Sequence, residues 1–331
     1  MVDLSGAGAR QPQLPTRLTL EPAQIITGER VQGMAEVTVI SRRTYEFHRG
    51  VAHYAREMLR FETSMAEFGE RELDRLVRAR SVFLYTHDFD EFADVVWPQL
   101  TSQPPVLITH NSDGEVSEKH AAWLDREGAG VRCWLAQNAA VRHPRLRPVP
   151  IGIANSMWPH GNLRSLARAV RRARRTNREP LSLFAQFSAS TNPARAAAAE
   201  ALRANFPAEH VDATPSLKWR QYTRLLSAHQ FSACPRGNGI DTHRLWESLY
   251  LGVVPIVERT TLSEHWKGAG LPLVLIDDWS EVTPARLRYE ADRLAARGNQ
   301  NALQLSTYRE ALEAALAGEG SSTAPAVDDG A

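Results

Sequence analysis

Short apolar runs recur through the first half of the chain, and each gives way to a polar cluster. Residues 37–40, 81–85, 106–109, 131–135 and 149–153 are rich in Val, Ile, Leu and Phe, with little alternation of apolar and polar positions. Such runs read as buried strands of a parallel sheet rather than half-exposed hairpin strands. Residues 45–59 and 70–80 have apolar positions at helical spacing instead, with Leu73, Leu76 and Val77 on one face of the second. The rhythm continues downstream. Residues 181–187, 231–234, 253–257 and 272–276 predict strands. Helices are expected after Asn192-Pro193, after Ser216, from Asp241 or Thr242 to Gly252, after Thr283-Pro284, and over 302–316. Alternating strands and helices define the α/β class. The chain divides into an N-terminal Rossmann-like half (21–178) and a C-terminal one (179–317). Residues 1–20 and 318–331, rich in small and polar residues, are expected to be loose.

In parallel sheets ligands gather at the carboxyl ends of strands. Four such ends in the first half carry polar clusters: Thr86-His87-Asp88-Phe89-Asp90, His110-Asn111-Ser112-Asp113-Gly114-Glu115, Gln137-Asn138, and Asn155 through His160. Asp and Asn also cap helices and shape turns, so part of this polarity is structural. The candidates for an acceptor-side site are His87, Asp88, Asn111, Asn155 and His160. Asp113 and His110 are the candidates for a proton-accepting role.

Residues 231–257 carry the densest chemistry. An apolar run ends at Cys234-Pro235, Gly237 and Gly239 permit a tight turn, and a helix with Leu245, Trp246, Leu249 and Tyr250 follows. The start of that helix is an anion site by virtue of its unpaired N–H groups and dipole. Arg236, Asn238, Asp241, Thr242, His243, Arg244 and Glu247 cluster about it in sequence, and Arg195 stands in the first turn of the helix after Asn192-Pro193, near where a phosphate could sit. Arginine supplies planar, permanently charged donors for phosphate, and Glu247 could accept sugar or ribose hydroxyls.

The stretch Cys-Pro-Arg-Gly-Asn-Gly, followed by His-Arg-Leu-Trp-Glu-Ser-Leu-Tyr-Leu-Gly-Val-Val-Pro-Ile-Val, resembles the donor-domain signature of exostosin-like glycosyltransferases. The close match covers this stretch and a looser one spans about 181–287. The resemblance implies a GT-B fold, two Rossmann-like domains facing a cleft, with a nucleotide-sugar held by the C-terminal domain. It also implies transfer to a hydroxyl of a glycan or glycoconjugate with inversion, and a last helix that returns across the cleft. A polysaccharide pyruvyl transferase on the same fold, or a carbohydrate-binding protein without catalysis, are the alternatives.

Composition narrows the partners. The chain has 331 residues, 43% of them hydrophobic, and a net charge of +1. It is long enough for two cores and has no general bias toward nucleic acid. Seven arginines crowd 163–178 (Arg164, Arg168, Arg171, Arg172, Arg174, Arg175, Arg178), opposite a stripe of Leu163, Leu166, Ala167 and Val170. This amphipathic helix reads as a solvated linker or as a peripheral membrane contact. Cys133 and Cys234 lie in apolar runs and read as free buried thiols. No secretory leader or membrane span is evident, so a soluble, cytoplasmic protein is expected. Walker A, Gly-x-Gly-x-x-Gly, His-Glu-x-x-His and Cys-x-x-Cys patterns are absent, and no metal or other cofactor is expected. Asp88-Phe89-Asp90 matches a metal–nucleotide motif of the other glycosyltransferase fold, but it falls in the acceptor-side half.

Overall fold

The computed structural model describes residues 21–48, 54–126, 130–206, 217–294 and 301–318. The expectations for 1–20, Ser216 and 319–331 fall outside these residues. The first half builds a six-stranded sheet from β1 (Val37–Ser41), β2 (Glu57–Phe61), β3 (Ser81–Tyr85), β4 (Val106–His110), β5 (Cys133–Ala136) and β6 (Leu146–Pro148). Its order is β2-β1-β3-β4-β5-β6, and every pairing is parallel. The second sheet contains β7 (Glu179–Phe184), β8 (His229–Ala233), β9 (Val254–Glu258) and β10 (Val274–Ile276), in the order β10-β9-β8-β7, again all parallel. The architecture is therefore mixed α/β with two parallel sheets, compatible with Rossmann-like units.

β-Branched and aromatic residues buried on both faces explain the central strands: every residue of β3 and β4 is buried. In the first half, α1 (Gly28–Gln32), α2 (Arg42–Phe47), α3 (Glu70–Arg78) and α4 (Glu118–Leu124) connect the strands. α3 places Glu70 and Glu72 in its first turn and Arg75 and Arg78 in its last, matching the helix dipole. After β6 comes α5 (Leu163–Ala173), and in the second half α6 (Pro193–Asn205), α7 (Trp219–Ala228), α8 (His243–Leu251), α9 (Thr261–Gly268), α10 (Pro284–Leu294) and α11 (Leu305–Ala317) follow. Asn192 caps α6 through a bond from the Ala194 N–H, with Pro193 at the first helical position. α8 ends at Gly252, whose φ of 74° lets its N–H reach back to the carbonyls of Ser248 and Leu249.

Three expected elements differ. The run 149–153 is not a strand; β6 precedes it at Leu146–Pro148, and only Ile153 makes a bridge, to Thr27. Pro148 and Pro150 cannot donate to a ladder, and Gly152 is left-handed at φ 64°. Of the helix expected over 45–59, residues 49–53 lie outside the described residues; the rest gives the end of α2 and the start of β2, an edge strand whose partial burial (only Leu59 and Phe61 are buried) hid it from the apolar pattern. β7 runs over Glu179–Phe184 rather than 181–187, with a register shift between Glu179 and Leu183 and φ 56° at Leu181.

Two helices bind the halves together. The buried side of α5 (Leu166, Ala169, Val170, Ala173) sits in one core with Leu245, Trp246, Leu249 and Trp266 of the second half. α11, last in the chain, returns to the first sheet, where Leu305, Tyr308 and Leu312 join Ile26, Val31, Phe83 and Ile108. Between them, the Tyr250 hydroxyl accepts from the Ile26 N–H at 3.1 Å and donates to the Leu303 carbonyl at 2.9 Å. The return of α11 makes the first sheet's core depend on the end of the chain. Leu305→Ala is therefore expected to cost about 2–5 kcal/mol in urea unfolding, as a core deletion does. A loss below about 0.5 kcal/mol, the range of surface changes, would show that α11 is not part of that core.

Candidate functional site

The carboxyl ends of the two sheets meet. A cavity of about 580 Å³ opens where they do, lined among others by Asp113, His160, Arg195, Trp219, Tyr222, His243, Arg244 and Glu247. That volume lies in the usual range for small-molecule sites. The turn from Pro235 to Thr242 forms one wall, and the segment after β4 forms the facing one.

Glu247 and Arg244 stand on the first turns of α8. Glu247 is 5% exposed and accepts a 2.6 Å hydrogen bond from the Tyr222 hydroxyl. Burial pushes its carboxyl up, opposed by the Tyr222 bond and the Arg244 charge. The Arg244 guanidinium lies over Phe184 at 5.4 Å and Tyr222 at 5.5 Å and donates to the Gln186 carbonyl. Stacking and that bond fix its plane, as suits an arginine that presents a fork to an anion. The N–H groups of His243 and Arg244 begin the helix and have no intrahelical acceptor. Arg195 lines the cavity while its Nε donates to the Arg236 carbonyl at 2.8 Å, which ties α6 to the Gly-rich turn.

His243 is oriented by the backbone. Its Nδ1 lies 2.8 Å from the Gly152 carbonyl, which can only accept, so Nδ1 carries the proton and Nε2 is left as an acceptor. Burial pushes this imidazole below its ordinary range, favouring the neutral ring. His243 lines the cavity, as expected of a residue on the nucleotide-sugar side, and presents there a neutral ring with Nε2 as acceptor. Asp113 faces it from the other half, exposed and touched by Asn238 Nδ2 at 3.3 Å.

Other expected site residues hold the halves in place. Asp241 is 4% exposed, and its carboxylate accepts from the Ile151 N–H, the Thr242 N–H and Trp246 Nε1, all within 3.0 Å. Thr242 is the N-cap of α8 by position, without a side-chain cap bond. Arg236 pairs with Glu115 across the interface at 2.9 Å and does not line the cavity. His110 is 1% exposed, with Nε2 2.9 Å from the Pro150 carbonyl and Nδ1 beside Asn111. Burial pushes it down to about 4. It does not line the cavity. Asn111 and Asn155 bond to each other at 3.0 Å, and Asn155 Oδ1 accepts from the Glu29 N–H at the start of α1. His87 and Asp88 lie beyond β3, with His87 Nδ1 3.1 Å from Ser112 Oγ and Nε2 3.6 Å from Asp88 Oδ1. Burial pushes Asp88 up to about 6. Asp90 of the Asp88-Phe89-Asp90 motif turns to Lys119 and His120 on α4. Among the described residues no cluster of His, Cys, Asp and Glu is arranged to hold a metal.

Three contributors escaped the sequence reading. Tyr222 and Trp219, one helical turn apart and stacked at 5.6 Å, form an aromatic wall of the cavity. Asn138 joins the halves: its Oδ1 accepts from the Asp241 N–H at 3.0 Å while its Nδ2 reaches the Ser112 carbonyl at 3.2 Å. Tyr222 fits the apolar spacing of a helix, Trp219 carries no motif, and Asn138 looks like one more polar strand end. A scan of protein-family models and a search of curated proteins both return no match for this chain.

Gly239 passes so close to Asn138 that an added Cβ would stand 2.7 Å from its Nδ2, whereas one on Gly237 would meet nothing nearer than Arg195 at 3.4 Å. Gly239→Ala is expected to cost about 1–3 kcal/mol in thermal or urea unfolding by breaking the Asn138 bonds. Gly237→Ala should be close to neutral. Equal effects of the two would mean that the Asn138 contact does not join the halves.

Proposed function

We infer that the protein is a glycosyltransferase of the GT-B type, moving a sugar from a nucleotide-sugar to a hydroxyl of a glycan or glycoconjugate. The observation that carries this reading is the convergence, in one cavity between two parallel-sheet halves, of a helix N-terminus, Arg244, Arg195 and the buried Glu247. Such a set suits a diphosphate with a hydroxylated ring beside it. The resemblance of 234–257 to exostosin-like enzymes agrees with it.

In this reading the diphosphate lies at the start of α8, with Arg244 and Arg195 countering the charge that develops as the bond to the sugar breaks. Glu247, held by Tyr222, accepts hydroxyls of the donor. The acceptor oxygen forms its bond to the anomeric carbon from the opposite face, and the nucleoside diphosphate leaves. The acceptor's proton passes to Asp113, on the facing wall and open to solvent. His110, buried with both ring nitrogens occupied, is not assigned this step. Charge compensation by arginines requires no metal, so the reaction should run in EDTA.

With a nucleotide-sugar identified by thermal-shift screening, Arg244→Ala and Glu247→Gln are expected to lower turnover in EDTA about tenfold or more, the loss of one charge-assisted hydrogen bond. The glutamine keeps an acceptor for Tyr222, so folding should be intact. Unchanged donor binding and turnover in both folded variants would remove the donor-site assignment. Asp113→Asn is expected to retain melting temperature and donor affinity and to lose most of kcat, read by release of nucleoside diphosphate. Near-normal kcat in that variant would exclude Asp113 as the base.

A further inference from the structure

Positive charge in this chain is segregated. No acidic residue occurs between Glu127 and Glu179, or between Leu217 and Ile240, although the whole chain carries only +1. The first stretch contains α5 and the second contains α7. On α5, Arg164, Arg168 and Arg171 follow one another at helical spacing and are exposed, as is Arg175 in the turn just after the helix, while Leu166, Ala169, Val170 and Ala173 are buried on the opposite side. Arg172, on the flank between them, reaches across to α7, donating to Thr223 Oγ1 at 3.2 Å. Arg220 and Arg224 adjoin that threonine on α7 and are exposed as well. Among the described residues none of these exposed arginines takes part in an ion pair, unlike Arg42, Arg75, Arg78 or Arg259 elsewhere on the surface.

We propose that the α5–α7 arginine face docks the protein on an anionic phospholipid bilayer. Three arginines over about 10 Å of helix, with Arg175 just past its end and two more on the neighbouring helix, offer a positive field to a flat negative surface. Trp158, in the segment leading into α5, is 42% exposed, and Phe47 at the end of α2, 59% exposed, meets it edge-on with centroids 6.2 Å apart. Amphipathic rings of this kind settle at the headgroup level of a membrane. A nucleic-acid partner is the less suitable occupant, because α7's own rings, Trp219 and Tyr222, are turned into the cavity instead of interleaving with the arginines. His160, just before α5, and Lys218, just before α7, both line the cavity. A docked bilayer therefore lies beside the cavity's rim. The proposal does not depend on the reaction assigned to that cavity.

The experiment is sedimentation of the full chain with vesicles of phosphatidylcholine, alone or mixed with phosphatidylglycerol. Binding is expected to the mixed vesicles only, and to fall steeply with added salt. Changing Arg164, Arg168, Arg171 and Arg175 together to glutamine should weaken it by about tenfold or more, with the melting temperature retained. Changing Arg288 and Arg293 on α10 should leave it unaltered. No binding to mixed vesicles, undiminished binding by the fourfold variant, or equal loss on changing Arg288 and Arg293 would overturn the proposal. Arginine-dependent binding to duplex DNA without vesicle binding would overturn it in favour of nucleic acid.

Discussion

The buried carboxylate of Asp241 fixes the arrangement on which the site depends. It sits at the end of the Gly-rich turn, and every group that touches it is a donor: the Ile151 N–H, the Thr242 N–H and the Trp246 indole. Burial pushes its pKa up to about 7, and the donors pull it back toward the ionised form they serve. Its own N–H is taken by Asn138 from the first half. One residue thereby anchors the chain crossing between the halves, the start of α8 and the indole in the second core. A group so enclosed cannot move without leaving several buried polar atoms unsatisfied, each at a cost of about 1–3 kcal/mol.

That anchor sets the spacing of the cavity walls. The Asp113–Asn238 and Glu115–Arg236 contacts close one side, and the His243 bond to the Gly152 carbonyl closes the other. Arg236 is turned outward to an interdomain pair, so Arg244 and Arg195 are the arginines left facing the cavity. Glu247 remains buried because Tyr222 satisfies it and Arg244 lies near. The same packing that holds the two sheets end to end thus selects which of the charged residues near the Gly-rich turn meet a ligand.

Charge is distributed on a second principle. α5 and α7 bury their apolar faces and turn outward a set of arginines that, among the described residues, make no ion pair. Alternating charge would have served solubility as well, at less self-repulsion. The concentration of one sign on two adjoining helices is therefore the surface feature least explained by folding.

Much of this was legible in the sequence. Strands β1, β3 and β4 were readable because strands buried on both faces must be apolar throughout, and α8 because its helical spacing ends in a glycine able to take the left-handed conformation. The helix start with Arg244 and Glu247 followed from spacing alone. β2 was not legible, since an edge strand can leave polar residues on its open side, and neither was the irregular path of 149–153, where prolines and Gly152 override an apolar run. Spacing also could not say where side chains of one local cluster point. Asp241, Arg236 and His243 look equivalent beside the same turn, yet one is a buried anchor, one an interdomain pair and one a neutral acceptor. Their partners, Asn138 and Ile151, Glu115, and Gly152, lie about a hundred residues away in sequence, and long-range contacts of that kind exist only once the two sheets have met.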